Sequence, residues 1–288
     1  MFVTGEIDAL RAAVRAARRD GQTIGCVMTM GALHAGHRRL IDVAVDECDF
    51  VVTTIFVNPT QFAPGEDFDA YPRPLEADLV VCRQAGAAAV LTPTADRLYP
   101  ERFQTYVSTE EVTQPLEGES RPTHFRGVTT VVLKLLNIVQ PDRAYFGQKD
   151  YQQQAVLRQM VADLNVPTDI VTVPTVRDAD GLALSSRNAY LSAEDRLNGL
   201  SLSRALAAAT ETWQRSQSAD DAEQTLQAIL ARERSVKVDY AVVVDSATLR
   251  RPVESEPVAL VAARVGQTRL IDNHRLTEPF PIVLSDNP

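Results

Sequence analysis

The chain has 288 residues, more than one simple domain needs and ample for a buried core, with hydrophobic and charged fractions of 45% and 23% that suit a globular protein. A formal net charge of −9 argues against general binding to nucleic acid or anionic membranes, so an anionic substrate would need a local basic site working against the overall field. No run of about 18 apolar residues occurs. The thiols Cys26, Cys48 and Cys82 are odd in number, widely spaced and apolar in context, which reads as buried cysteines of a reducing cytosol.

Residues 1–20 interleave Arg11, Arg15, Arg18 and Arg19 with alanine, an amphipathic helix rather than a signal peptide. Ile24-Gly25-Cys26-Val27-Met28 has strand character, and Leu40, Ile41, Ala44, Val45 and Cys48 then fall at helical spacing. Between them lie Gly31 and His34-Ala35-Gly36-His37, a glycine turn leading from a strand into a helix N-terminus. Such a turn presents unpaired N–H groups at the positive end of the helix dipole. Two imidazoles stand at the same place. Taken alone, H-x-G-H fits a phosphate site and a solvated loop equally well.

Residues 50–57 are almost continuously apolar or β-branched, as in a strand buried on both faces of a parallel sheet. A helix is expected over 76–85 and a strand over 88–91. Val128, Val131, Val132, Leu135, Leu136 and Val139 make one apolar helical face, closed before Pro141. Residues 143–146 form a short strand ending at Gly147, Ala155 to Leu164 carry a further helix, and 168–173 a last strand. Alternating strands and helices predict an α/β fold, a Rossmann-like doubly wound parallel sheet whose ligands sit beyond the carboxyl ends of the strands. Three polar clusters follow strands directly, at 30–37, 58–62 and 147–150, and are expected to converge. Beyond about residue 188, alanine-rich helices at 195–214 and 219–234 precede strands at 238–244, 258–264 and 268–272, with a hairpin signal at Val265-Gly266-Gln267. The expected domains are therefore 1–176 and a smaller α+β domain at 177–288, in which Trp213 serves packing.

Several groups stand out as chemistry. Lys149 begins a helix against the dipole, a local conflict of the kind functional sites carry. Leu184-Ser185-Ser186-Arg187-Asn188, after the Asp180-Gly181 turn, reads either as a phosphate clamp or as a serine-rich linker. Gln61 and Gln153 are either surface glutamines or uncharged binders of a small hydroxy acid. His124 and Arg126, with Arg121 nearby, suggest a basic patch, and Asp78 is a candidate magnesium contact.

Four of these segments resemble one family in order and spacing: Thr29-Met30-Gly31-Ala32-Leu33-His34-Ala35-Gly36-His37, Ile55-Phe56-Val57-Asn58-Pro59-Thr60-Gln61-Phe62, Lys149-Asp150-Tyr151-Gln152-Gln153 and Leu184-Ser185-Ser186-Arg187-Asn188. The family is that of pantothenate synthetases (pantoate–β-alanine ligases), within the H-x-G-H nucleotidylyltransferase superfamily. The resemblance implies an ATP-dependent condensation of (R)-pantoate with β-alanine. Pantothenate, AMP and pyrophosphate result, through an enzyme-bound pantoyl adenylate, as a step of pantothenate and coenzyme A biosynthesis. It implies a cytoplasmic homodimer that uses ATP as substrate with Mg2+, has no tightly bound organic cofactor, and engages neither nucleic acid nor membrane. By the same resemblance Met30, Gly31, Ala32, Leu33, His34, Ala35, Gly36 and His37 bind ATP. His37 is the proton donor there, and His34 lines the phosphate site. Gly147, Gln148, Lys149, Asp150, Val176, Leu184, Ser185, Ser186 and Arg187 complete the ATP contacts, with Lys149 sharing the catalysis. Gln61 would contact pantoate and β-alanine, Gln153 pantoate, and Asn58 the substrate more weakly. The first domain would hold nucleotide and pantoate, the second would act as a lid, and closure would bring Arg187 to Lys149 from across the boundary.

Three positions depart from the family pattern. Met28 stands where proline is common, Ala35 where a charged or polar residue is common, and Gln148 where glutamate is usual. None removes a group assigned to chemistry. A superfamily member with another acceptor would share H-x-G-H without needing Gln61 and Gln153, and a non-catalytic nucleotide sensor would have lost reactive groups that His34, His37, Lys149 and Arg187 here retain.

Overall fold

Alternate residues of a strand face opposite ways, and the long apolar strands exploit this on both sides of one sheet. The structure, a computed structural model, describes residues 1–281. Strands β1 (Phe2–Thr4), β2 (Ile24–Thr29), β3 (Phe50–Ile55), β4 (Ala89–Leu91), β5 (Arg143–Gly147) and β6 (Asp169–Val173) form a parallel sheet in the order β1-β4-β3-β2-β5-β6. The helices of this part are α1 (Ile7–Arg19), α2 (Ala35–Glu47), α3 (Leu75–Gln84), the short α4 (Ala95–Leu98) and α5 (Glu117–Ser120), α6 (His124–Val139) and α7 (Tyr151–Asp163). Cys26, Val52, Ala144 and Phe146 pack with Leu10 and Val14 of α1, Leu135 and Leu136 of α6 and Leu157 of α7. Val27, Val51, Val90 and Tyr145 pack on the other side with Leu40 and Ile41 of α2 and Cys82 of α3. Helices on both faces of a parallel sheet give the doubly wound architecture expected. The three cysteines are buried and unpaired.

The strand order reverses direction beside β2. From β2 the chain moves outward through β3 and β4, then returns to place β5 and β6 on the other side. Ligands of such sheets bind at this switch point, beyond the carboxyl ends of the strands. Because β3, β2 and β5 are parallel neighbours, the segments beginning at Met30, Phe56 and Gln148 all leave the same edge.

One expectation fails at the start of the chain. Residues 1–20 read as a single helix, yet β1 precedes α1 and pairs with β4 at the sheet edge. Its three residues, Phe2-Val3-Thr4, are too few to show a strand period beside the helix that follows.

The chain divides into two compact units: Met1–Gln148 with Gln152–Pro174, and Lys149–Tyr151 with the chain from Thr175 onward. The second therefore begins two residues before the expected boundary, and it includes Lys149. Lys149 and Arg187 belong to the same unit, which removes the expectation that they approach from opposite domains. Taken by itself, the second unit has helices α8 (Ala193–Ser216) and α9 (Ala219–Leu230) and antiparallel strands β7 (Val236–Asp245), β8 (Pro257–Val265) and β9 (Thr268–Arg275), in the order β7-β8-β9. Leu202, Leu206, Leu226, Val243 and Val261 form its core, with Trp213 against it. A two-residue turn joins β8 to β9, and Gly266 supplies the positive φ (56°) such a turn needs. Residues 282–288, the end of the expected second domain, lie outside the described residues.

Candidate active site

Leaving β2, the chain passes through two left-handed residues, Gly31 (φ 85°) and Ala32 (φ 51°). Glycine adopts this region freely, but alanine does so at a cost of roughly 1 kcal/mol or more. The side chain that holds the bend is the buried Asp78 of α3. Its Oδ2 accepts from the Ala32 amide at 3.0 Å and its Oδ1 from the Leu33 amide at 2.8 Å. A Cβ on Gly31 would come within 2.9 Å of Asp78 Oδ2, so the turn has no room for a side chain there. Burial raises the Asp78 pKa, and the Leu33 and Ala32 amides oppose that rise. The expectation that Asp78 contacts magnesium meets a carboxylate whose two oxygens already serve the loop; its place in the structure is a positioning one. Among the described residues no group of three or more His, Cys, Asp or Glu side chains could hold a metal ion.

The two histidines cap the helix that follows. His34 Nδ1 accepts from the Gly36 amide at 3.1 Å, and His37 Nδ1 accepts from the His34 amide at 3.4 Å. The N-terminus of α2 is thus partly satisfied by its own imidazoles, where the sequence suggested bare amides. An Nδ1 that accepts carries no proton, so each neutral ring bears its proton on Nε2. The ring centroids are 4.1 Å apart, placing two Nε2–H donors together at the positive end of a helix dipole. That arrangement suits an oxyanion acquiring charge.

Beyond β3, Asn58 and Gln61 lie beside this loop. Asn58 is buried and its amide is fully engaged. Its Oδ1 accepts from the Tyr99 hydroxyl at 2.8 Å and the Thr60 hydroxyl at 3.0 Å, and its Nδ2 donates to the Gly127 carbonyl and to Gln61 Oε1, both at 3.1 Å. The structure therefore gives Asn58 the task of orienting Gln61. With Oε1 turned to Asn58, the Gln61 Nε2 faces Met30 and donates to its sulfur at 2.9 Å. The amide donor is thereby presented beside the histidine loop, where a carboxylate or hydroxyl oxygen could take it. Two of the three polar clusters meet here, as expected.

The Gln61 backbone is held as firmly. Its carbonyl accepts from His124 Nδ1 at 2.9 Å and from Arg121 at 3.3 Å. Arg121 also forms a two-pronged ion pair with Glu66, at 2.7 Å on each prong, and lies 3.2 Å from His124 Nε2. A carbonyl can only accept, so His124 Nδ1 carries the proton and Nε2 accepts from Arg121. Burial, then the Arg121 charge, lowers the His124 pKa to about 4. Glu66 would be raised by burial, but its hydrogen bond to Arg121 and that cation's charge leave it below the ordinary carboxylate value. Arg126 stacks on Tyr106, its guanidinium carbon 3.8 Å from the ring centre. The basic patch expected here is thus a neutral histidine, a paired arginine and a stacked one. On the other side, α6 approaches so closely that a Cβ at Gly127 would fall 2.3 Å from the Thr60 carbonyl oxygen.

Gln148 is buried at the end of β5. In the first turn of α7, Gln153 is half-buried and its side chain makes no hydrogen bond within the described chain, whereas neighbouring Gln152 bridges the Val112 and Pro115 carbonyls and the Glu117 amide. The identical residue type does structural work one position away.

The remaining candidates lie in the second unit. The Leu184 amide donates to the Val176 carbonyl at 2.9 Å, closing a hairpin around Asp180-Gly181. Ser185 Oγ then caps the turn by accepting from the Arg187 amide at 3.3 Å. Behind the hairpin Arg177 makes a two-pronged pair with Asp272 of β9, at 2.6 and 2.9 Å, with both side chains no more than 4% exposed. The next residue, Asn273, donates from Nδ2 to the Lys149 carbonyl at 2.8 Å. Lys149 itself lies 3.9 Å from Asp150. Sequence reading does not single out Glu66, Tyr99, Arg177, Asp272 or Asn273, since each is an isolated polar residue whose partner is distant along the chain.

The family model described as pantoate-beta-alanine ligase matches residues 3–275. Among curated proteins, the pantothenate synthetase of Geobacter sulfurreducens is 50% identical over 96% of this chain and 99% of its own length. That of Rhodopirellula baltica is 50% identical over 94% and 97%. Among solved structures, the pantothenate synthetase of Thermus thermophilus superposes with a TM-score of 0.91 at 43% identity, covering 96% of this chain and 99% of that one. The pantoate-beta-alanine ligase of Francisella tularensis, complexed with beta-gamma ATP and beta-alanine, gives 0.80 at 32% identity over 96% and 98%.

Proposed function

The chain belongs to the pantoate–β-alanine ligase family, and from that premise we propose how its residues divide the work of an ATP-dependent ligase. The enzyme condenses (R)-pantoate with β-alanine, giving pantothenate, AMP and pyrophosphate through a bound pantoyl adenylate. A carboxylate oxygen of pantoate attacks the α-phosphorus of ATP and pyrophosphate leaves. The β-alanine amine then attacks the activated carbonyl and AMP leaves. The first step gathers negative charge on phosphate oxygens, and fixed donors placed where that charge develops are worth more than donors that must be oriented.

The observation that carries this reading is the pair of Nε2–H donors of His34 and His37, fixed by backbone amides at the N-terminus of α2 beside the Gln61 amide. On the proposed assignment Met30 to His37, Gly147 and Gln148 contact ATP in the first unit, with His37 giving a proton to the departing oxygen. Gln61 meets pantoate and β-alanine, and Gln153 meets pantoate. In the second unit Lys149, Asp150, Val176, Leu184, Ser185, Ser186 and Arg187 are the proposed nucleotide contacts, the cations offsetting phosphate charge. Magnesium is proposed to enter with ATP, bound chiefly by phosphate oxygens, as this cation commonly does. A homodimer in the cytoplasm is likewise proposed. Burial of all three thiols suits a reducing compartment, and among the described residues no helix is long and apolar enough to cross a membrane.

Incubation of the purified protein with Mg-ATP, (R)-pantoate and β-alanine is expected to yield pantothenate and AMP in equal amounts. ADP in place of AMP, or AMP formed without pantoate, would refute the reading.

A further inference from the structure

Gln61 has two sets of contacts, one to its side chain and one to its backbone carbonyl, and only the first is explained by orienting an amide toward a substrate. The second is costly. Three ionisable groups, Glu66, Arg121 and His124, are partly or wholly withdrawn from water to hold one carbonyl oxygen. Glu66 ties Arg121 in place and also accepts from the Ala63 amide at 3.1 Å, so the ends of the short segment from Gln61 to Glu66 are gripped by the same arginine. Gly127 lets α6 press against Thr60 and Gln61 from behind. We propose that His124 and Arg121 are positioning residues for substrate recognition, a latch that fixes the Gln61 backbone so that its side-chain amide meets the carboxylate-bearing substrates at a set height above the histidine loop.

The inference rests on Gln61 contacting pantoate and β-alanine, and it makes a selective claim. The hydrogen bonds of the latch end on the segment from Gln61 to Glu66, so loosening it should affect the acid and amine substrates and leave ATP binding nearly intact. An asparagine at position 124 can place an amide N–H near the former Nδ1, whereas alanine cannot.

Steady-state kinetics of the full chain provide the test, with melting temperatures recorded for each variant. For His124→Ala the KM for pantoate is expected to rise about tenfold, the scale of one lost hydrogen bond, with the KM for ATP within about twofold of wild type. His124→Asn should recover most of that loss. In a Gln61→Ala background, His124→Ala should add little, because the residue it positions is already gone. Equal rises in both KM values, full additivity with Gln61→Ala, or an asparagine variant as impaired as the alanine one would each overturn the proposal. If the melting temperature of His124→Ala shows it unfolded, the asparagine variant and Arg121→Lys, expected to raise the pantoate KM selectively, decide the matter. Wild-type protein that forms no pantothenate would instead overturn the functional reading itself, which separates the two failures.

Discussion

The histidine corner of the first unit and the serine–arginine hairpin of the second are built on different principles. In the first, the side chains aimed at substrate are held directly by uncharged contacts, imidazole nitrogens capped by amides and an asparagine holding a glutamine, while Asp78 and the Arg121–Glu66 pair grip the backbone behind them. In the second, the hairpin that carries Ser185 to Arg187 is backed by a buried ion pair reaching 95 residues along the chain to Asp272. Neutral hydrogen bonds are modest but cheap to desolvate, whereas a buried ion pair breaks even only while both partners are present. The first region should therefore fail gently in stability and sharply in chemistry when altered, and the second the reverse.

The largest expected effect is chemical. His37→Ala should reduce the rate of pantoate-dependent AMP formation by roughly 10²–10⁴-fold, as losing an acid or charge-stabilising donor does, with a nearly unchanged melting temperature. Lys149→Ala should fall in the same range; near-wild-type turnover in either would remove that residue from the site. Next comes Asp272→Ala, which strands the Arg177 guanidinium in the interior. A loss of about 3–5 kcal/mol in denaturant unfolding is expected. A cost below about 1 kcal/mol, within reach of an exposed pair, would erase the contrast between the regions.

The latch adds a pH signature. His124 has a folded pKa of about 4 against an ordinary 6.5, so above pH 6.5 it is neutral in both states and imposes no penalty. As pH falls from 6.5 towards 4 the unfolded chain takes up a proton that the folded chain refuses, and stability drops by up to about 3 kcal/mol at 1.36 kcal/mol per unit. Glu66, held below its ordinary value, adds its own loss only at more acid pH. Thermal melts across this range should show the slope in wild type and a flatter one in His124→Asn; identical slopes would contradict the neutral tautomer. Smallest is Asp78→Ala, which frees the Ala32 and Leu33 amides and should cost about 1–3 kcal/mol, with AMP formation slowed because the left-handed bend at Ala32 relaxes. Unchanged activity would mean the bend holds itself.

The sheet is largely legible in the sequence because strands buried on both faces are long apolar runs, and α6 because Val128 to Val139 repeat on one face. β1 is not, since three residues are too few to show a period. Of the site, the residues pointing at ligand sit in compact motifs after strands, and those can be read. Their supports cannot: Asp78, Glu66, Arg121 and Asp272 are ordinary charged residues whose meaning comes from a partner across the fold. In sequence Asp78 suggests a metal contact, because a lone carboxylate reads that way until its two amide donors are visible. Nor can sequence place Lys149 with the second unit, since that grouping follows from contacts with residues distant along the chain, among them Asn273, which donates to its carbonyl.

The central claim is that this constellation activates pantoate by adenylation, and isotopic labelling tests it most directly. With pantoate carrying ¹⁸O in its carboxylate, unlabelled Mg-ATP and β-alanine, the attacking oxygen should leave with the nucleotide. The expected products are AMP bearing one ¹⁸O and pyrophosphate bearing none. Unlabelled AMP would contradict the claim.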